Sequence, residues 1–172
     1  MIRTPELVES QVKALVSTLR DRGFSVTHQR LEVYRALVAD DTHPDAEGIH
    51  ERVRKSIPSI SLGTVYKAID TLKNLGVIAE VDAPRSATRY EAVLEPHQHL
   101  VCEECERIVD FSEPGFGIVR PPARLANGFE VRACQVSFIG TCRECQARAR
   151  TGALRPKSRA LPRPRSDAGT SA

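Results

Sequence analysis

Several things are missing from this chain of 172 residues. No run of about 18 apolar residues occurs, which excludes a membrane-spanning helix. The opening segment, MIRTPELVESQVKALV, has no apolar leader core and no small-residue cleavage site, so a cytoplasmic protein is expected. Tryptophan is absent. GFGIVR and SLGTVYK lack the pattern of a phosphate-binding loop, and no nucleophile constellation appears, so neither an enzyme nor a small-molecule substrate is expected. A strong bulk charge is missing too, for the net charge is only +3. Residues 147–172 nevertheless hold seven of the 25 Lys/Arg and one Asp, leaving the rest at 18 basic against 21 acidic residues, a net of −3. Bulk charge therefore cannot argue for a nucleic-acid partner. That requires a motif.

Apolar residues make up 41%, enough for one ordinary domain or two small ones. Val8, Val12, Leu15, Val16 and Leu19 recur at helical spacing, with Gly23 placed to end the helix. Thr27 is a candidate cap for a second helix whose Leu31, Tyr34, Leu37 and Val38 share a face. Residues 44–55 predict a third helix with Pro44 in its first turn and Ile49 and Val53 inward. In SISLGTVYKAIDTLKNLGVI, Ser61 caps a fourth, its buried stripe is Val65, Ala68, Ile69, Leu72 and Leu75, and Gly76 ends it. VIAEV (77–81) and RYEAV (89–93) read as a hairpin across DAPRSAT.

Helices followed by a small hairpin describe a winged helix-turn-helix closing near residue 93; a helical domain with an unrelated hairpin is the alternative. The outward face of the fourth helix carries Thr64, Tyr66, Lys67, Asp70, Thr71 and Lys73. Such side chains suit base edges and phosphates in a major groove, though a solvated face would look similar.

Residues 94–146 differ in character. LVCEEC and RIVDF predict two short strands, and VRACQVSFIG (131–140) a third. PGFGIVRPPARLANGF is ambiguous: Ile118, Leu125 and Ala126 could line a helix whose start Pro121 and Pro122 would delay. The Arg- and Pro-rich stretch 147–172 has little to bury and is expected to be a disordered tail.

Cys102 and Cys105 form one CxxC knuckle and Cys142 and Cys145 another, 36 residues on. Two residues between thiolates let both sulfurs reach one ion, and two knuckles complete a closed tetrahedral site suited to structural Zn2+. The long gap implies that the knuckles tie two strand ends across a domain. The alternative is a pair of redox dithiols. Cys134 is left over and is expected to be a buried, inert cysteine in a strand. His97 and His99, two apart, face the same side of a strand, and Asp110 lies on the next strand. Imidazole with carboxylate suits Fe2+, Mn2+ or Zn2+ rather than a soft thiolate-type ion. Surface histidines near a turn are the alternative.

LRDRGFSVTHQRLEVYRALV, HPDAEGIHERV, ISLGTVYKAIDTLKNLGVI, RYEAV, HQHLVCEECERIVDF and CREC together resemble the ferric uptake regulator (Fur) superfamily, from about residue 15 to 146. The resemblance implies an α+β chain: a winged-helix DNA-binding domain with hinge (1–93) and a small α/β dimerisation domain with a four-cysteine zinc site (94–146). It implies a homodimeric, metal-dependent repressor acting on double-stranded operator DNA. The four cysteines match the structural zinc ligands. His43, Glu91, His97, His99 and Asp110 match a regulatory site for Fe2+ or Mn2+. Tyr66 and Lys67 match DNA-reading positions, and Arg20 or Arg22 a basic residue near the minor groove.

Asp110 resembles the peroxide-sensing (PerR-like) branch, where iron-sensing members carry Glu; Glu91 is longer than the Asp of the best-known peroxide sensors. In that branch Fe2+ with H2O2 oxidises a ligand histidine, here His43 or His97, whereas Mn2+ represses without this sensitivity. An iron-homeostasis repressor of the same fold is one alternative, and a zinc-dependent thiol redox switch is another. A further site of some members would need His or acidic ligands at 96, 98, 117 and 134; Pro96, Gln98, Gly117 and Cys134 predict its absence.

Overall fold

Side-chain caps set the four N-terminal helices. In α1 (Pro5–Asp21) the Thr4 hydroxyl accepts the Leu7 N–H at 3.3 Å, and Pro5 stands where no amide hydrogen is needed. Thr27 caps α2 (His28–Val38), Asp45 caps α3 (Ala46–Val53) and Ser61 caps α4 (Leu62–Asn74) in the same way. Gly23 and Gly76, at φ 73° and 71°, turn the chain out of α1 and α4 in the left-handed conformation that glycine adopts without strain. The structure, a computed structural model, describes residues 3–81, 87–92, 97–112, 127–131 and 134–151.

The buried faces of α1 to α4 meet in one core with Leu15, Leu19, Leu37, Ile49, Ile69 and Leu72 at its centre. Behind α4, β1 (Ile78–Val81) pairs antiparallel with β2 (Arg89–Ala92), and Ile78, Tyr90 and Ala92 close the same core. This is the winged helix-turn-helix order. The third helix is shorter at both ends than the expected 44–55, stopping at Val53. The third helix starts at Ala46 because Asp45 takes the cap, and Pro44 lies before it, its carbonyl accepting the Tyr90 N–H at 3.0 Å. The wing is thereby tied to the segment that carries His43.

The second half is a three-stranded sheet in the order β4-β3-β5, followed by α5. β3 (Gln98–Cys102) and β4 (Ile108–Phe111) are antiparallel, with His99 opposite Asp110. β5 (Ser137–Gly140) runs parallel to β3 and sets Gly140 beside Cys102. Val81, Val101 and Ile108 form a small separate apolar cluster between the hairpin and this sheet. The strand expected over 131–140 is confined to its last four residues, and Cys134 lies outside it, exposed rather than buried. α5 (Arg143–Arg150) was not foreseen. It carries helical chain past residue 146 into what was expected to be tail. The ambiguous stretch with Pro121 and Pro122, and the tail beyond Thr151, lie outside the described residues. No described helix is long and apolar enough to cross a membrane.

Candidate metal centres

The sheet register brings the two knuckles together. With Gly140 beside Cys102, Cys142 arrives two residues later at the first knuckle, and Cys145 follows in the first turn of α5. The parallel pairing of β3 and β5 needs a long crossover, which accounts for the 36-residue gap. All four Sγ atoms lie within 4.8 Å of one another, and Cys105 and Cys142 are 3.8 Å apart. Sulfurs on a tetrahedral zinc at roughly 2.3 Å stand roughly 3.8 Å from one another, whereas a disulfide holds them at about 2 Å. All the cysteines are free thiols, and the cluster fits a structural zinc.

The local electrostatics favour a cation there. Burial pushes the Cys102 thiol up, but the N–H groups of Cys142, Cys105 and Glu104 outweigh it and bring it down to about 6. Burial and the surrounding sulfurs push Cys145 up to about 12. Four thiolates so close together ionise jointly only around a positive ion. The turn between Cys102 and Arg107 puts Glu106 at φ 60°, a conformation costly for a non-glycine residue. The Glu106 N–H donates to the Cys102 carbonyl at 2.8 Å, and Cys102 N–H to the Arg107 carbonyl at 2.9 Å. Arg107 and Glu144 pair at 3.0 Å across the two knuckles.

The second cluster lies on the other face of β3. Side chains alternate along a strand, so His97, His99 and Val101 share one side while Leu100 and Cys102 take the other. His99 is buried, and Asp110 faces it from β4. Glu91 enters from β2, and His43 from the loop before α3. One donor atom from each of the five lies within 4.8 Å of all the others. Glu91 Oε2 is 3.3 Å from His43 Nε2, 2.9 Å from His97 Nε2 and 3.0 Å from His99 Nε2. Asp110 Oδ1 is 2.9 Å from His43 Nε2 and 3.4 Å from His97 Nε2, while His97 and His99 Nε2 are 3.0 Å apart.

Ligands of one ion at roughly 2.1 Å stand roughly 3.0 Å apart when adjacent and roughly 4.2 Å apart when opposite. The cluster has this spacing. It is also unsatisfied by itself: His43 Nε2 and Asp110 Oδ1 are buried and close, yet neither has a hydrogen bond. Three imidazoles and two carboxylates suit a divalent ion of the Fe2+, Mn2+ or Zn2+ type, and the cluster fits a regulatory metal. Burial works against a charge on His43, but Asp110 and Glu91 outweigh it and raise it to about 9. Burial opposes charge on Glu91 as well, yet the three histidines hold it well below the usual carboxylate range; His43 and His97 do the same to Asp110.

Two arginines that sequence reasoning did not single out support this cluster. His43 sits at φ 53°, and Arg89 Nη1 donates to its carbonyl at 3.3 Å. Arg3 donates through Nη1 to the Val38 carbonyl at 2.9 Å and brings Nη2 to 3.8 Å from Asp110 Oδ2. Arg89 stands in the RYEAV segment beside Glu91. Nothing local in the sequence marks Arg3, whose contacts are all distant along the chain. Of the expected DNA-facing residues, Tyr66 is 46% exposed and Lys67, Arg20 and Arg22 are exposed. Thr64 is half-buried, its hydroxyl 2.9 Å from Ser61 Oγ.

Residues 21–139 match the model of the ferric uptake regulator family. The chain belongs to that family. Its members are transcriptional regulators, not enzymes, and this Fur-family chain is a metal-responsive regulator. It is 30% identical over 141 residues to the peroxide-responsive repressor PerR of Staphylococcus aureus, covering 82% of this chain and 95% of that one. It is 31% identical over the same span to the PerR of Staphylococcus saprophyticus. Among solved structures, the Campylobacter jejuni peroxide stress regulator is 30% identical with a TM-score of 0.57, over 76% of this chain and 98% of that one. The Helicobacter pylori ferric uptake regulator shares the fold at a TM-score of 0.65 and 24% identity, over 81% and 93% of the two chains.

Proposed function

We propose that this Fur-family chain is a homodimeric, cytoplasmic repressor that binds operator DNA when a divalent ion occupies the five-residue cluster, and that it senses peroxide there. The observation that carries the reading is the convergence of five donor atoms from both halves of the chain. His43 and Glu91 belong to the winged-helix half, and His97, His99 and Asp110 to the sheet. Holding all five fixes the angle between the halves. In a dimer that angle sets the distance between the two α4 helices, which must match two half-sites on DNA. Ligand and DNA then favour the same shape, so each raises the affinity for the other.

The structural zinc ligands are Cys102, Cys105, Cys142 and Cys145. Tyr66 and Lys67 read DNA from α4, with Thr64 contributing less because Ser61 engages its hydroxyl. Arg20 or Arg22, exposed at the end of α1, lies near the minor groove. A second copy of the chain covers the sheet face that leaves Leu100 and Val109 exposed.

When bound, Fe2+ supplies the electrons that start the reduction of peroxide. In the net reaction a ring carbon of His43 or His97 gains one oxygen atom and H2O2 becomes water. Each histidine gives its Nε2 to the site, and the altered ring no longer fits it. The relatives named peroxide-responsive repressors, at 30% identity, support this branch. The lowered Cys102 thiol favours a second reading, a thiol switch that oxidises and ejects zinc.

Peptide mass spectrometry on iron-loaded protein, before and after a brief low dose of H2O2, tests these readings. One added oxygen on the His43 or His97 peptide, with the knuckles untouched, is the expected result. Intact histidines at full iron occupancy would point to iron homeostasis instead, and oxidised cysteines with lost zinc to the thiol switch.

A further inference from the structure

Asp110 divides its two oxygens between two environments. Oδ1 faces the histidines, 2.9 Å from His43 Nε2 and 3.4 Å from His97 Nε2. Oδ2 is 3.8 Å from Arg3 Nη2, an ion-pair distance longer than a hydrogen bond. The Arg3 side chain is only 9% exposed, although it belongs to the first residues of the chain. It is anchored elsewhere as well. Nη1 donates to the carbonyl of Val38, the last residue of α2, at 2.9 Å. A cation there meets the negative end of the helix dipole. The neighbouring Thr4 caps α1, so the backbone that carries Arg3 is fixed too. A planar guanidinium serves two acceptors at once in a way that an ammonium does not.

We propose that Arg3 is a positioning residue for the regulatory metal site: it holds the outer oxygen of Asp110 and so limits Asp110 to one-oxygen ligation. The inference rests on the five-residue site proposed above. Two consequences follow, and both have the same sign. With Arg3 in place, Asp110 gives the ion Oδ1 alone. The arginine charge also stands behind the carboxylate and repels a divalent ion. Removing Arg3 frees Oδ2 to chelate and deletes the repulsion, so metal binding tightens. A residue that only supported the fold would act in the opposite direction, because a loosened site binds metal less well.

The size of the effect can be bounded from below. A double and a single charge roughly 6 Å apart, screened as strongly as in water, alter affinity on the order of tenfold. The test is Mn2+ affinity of the full-length, zinc-containing protein, measured from free Mn2+ by electron paramagnetic resonance. Arg3→Gln is expected to bind Mn2+ on the order of tenfold more tightly. Arg3→Lys, which keeps the charge but not the fork that reaches both Val38 and Asp110, should fall between the parent and Arg3→Gln. Unchanged or weaker binding by Arg3→Gln, with zinc content and circular dichroism intact, overturns the proposal. Should Arg3→Gln fail to fold, deletion of residues 1–3 leaves the Thr4 cap in place and carries the same expectation. Asp110→Asn is the control. If its Mn2+ affinity matches the parent, Asp110 is not a ligand and the five-residue site itself fails, whatever Arg3 does.

Discussion

Replacing Cys102 with serine should undo the C-terminal half of the molecule while leaving the winged helix folded. Cys102 ends β3, is buried, accepts the Cys142 N–H at 3.3 Å and has its thiol lowered to about 6, so it is the knuckle sulfur best prepared to bind zinc. Among the described residues, the apolar cluster holding the sheet is Val81, Val101 and Ile108. Three such side chains, at roughly 1.5–3 kcal/mol each, contribute roughly 5–9 kcal/mol, and that figure is an upper bound. A structural zinc contributes about 10–16 kcal/mol. Bound zinc would therefore outweigh this cluster. One ligand in four carries about 2.5–4 kcal/mol of the zinc term, so Cys102→Ser should weaken zinc binding on the order of a hundredfold to a thousandfold. Zinc retention against a chelator, sedimentation and circular dichroism would follow the loss. A variant that keeps stoichiometric zinc and sediments as the parent does would refute the reasoning.

Tyr66→Ala should weaken operator binding by about 1–3 kcal/mol with metal binding unchanged; parental operator affinity in a fluorescence titration would remove Tyr66 from the reading surface. Mn2+ binding at pH 7 should release close to one proton, because His43 is held up to about 9 in the metal-free protein and must be neutral to ligate. Calorimetry in buffers of different ionisation enthalpy would read this, and a heat independent of buffer would contradict it. The stabilisation that the His43 charge gives the metal-free protein is complete below about pH 6.5 and lost as pH rises through about 9. Metal-free protein should therefore lose stability between pH 7 and 10 relative to Mn2+-loaded protein, as thermal melts at each pH would record.

The winged helix was legible because its signals are local. Thr27 and Ser61 announce their caps within three residues, Gly23 and Gly76 mark the ends, and Val65, Ala68, Ile69 and Leu72 repeat at helical spacing. The four cysteines and the five His, Glu and Asp residues were singled out by residue type and family resemblance, and the structure gathers each set within 4.8 Å. What escaped was set by contacts distant in sequence. Pro44 is compatible with a first helical turn, yet its carbonyl is taken by Tyr90 across the wing. Cys134 reads as buried only if the strand extends back to it, but pairing with β3 begins at Ser137. α5, RECQARAR, has Cys145 as its one buried residue and so no apolar stripe to reveal it. Arg3 meets Val38 and Asp110 only after the chain has folded.

The two metal clusters are back to back on one strand, and this makes their coupling unequal. A zinc ion held by the four cysteines would tie β5 to β3 through Cys142 and close the β3–β4 turn through Cys102 and Cys105. That turn sets the register that places Asp110 opposite His99. A slip of one residue would send Asp110 to the far face of the sheet. The zinc cluster needs nothing from the winged helix, whereas the regulatory cluster takes His43 and Glu91 from it. Loss of zinc should therefore abolish regulatory metal binding, while loss of the regulatory metal should leave zinc in place. That order suits a sensor: the ion that must come and go sits where its departure frees one half from the other, and the ion that must stay fixes the sheet on which the other ligands are mounted.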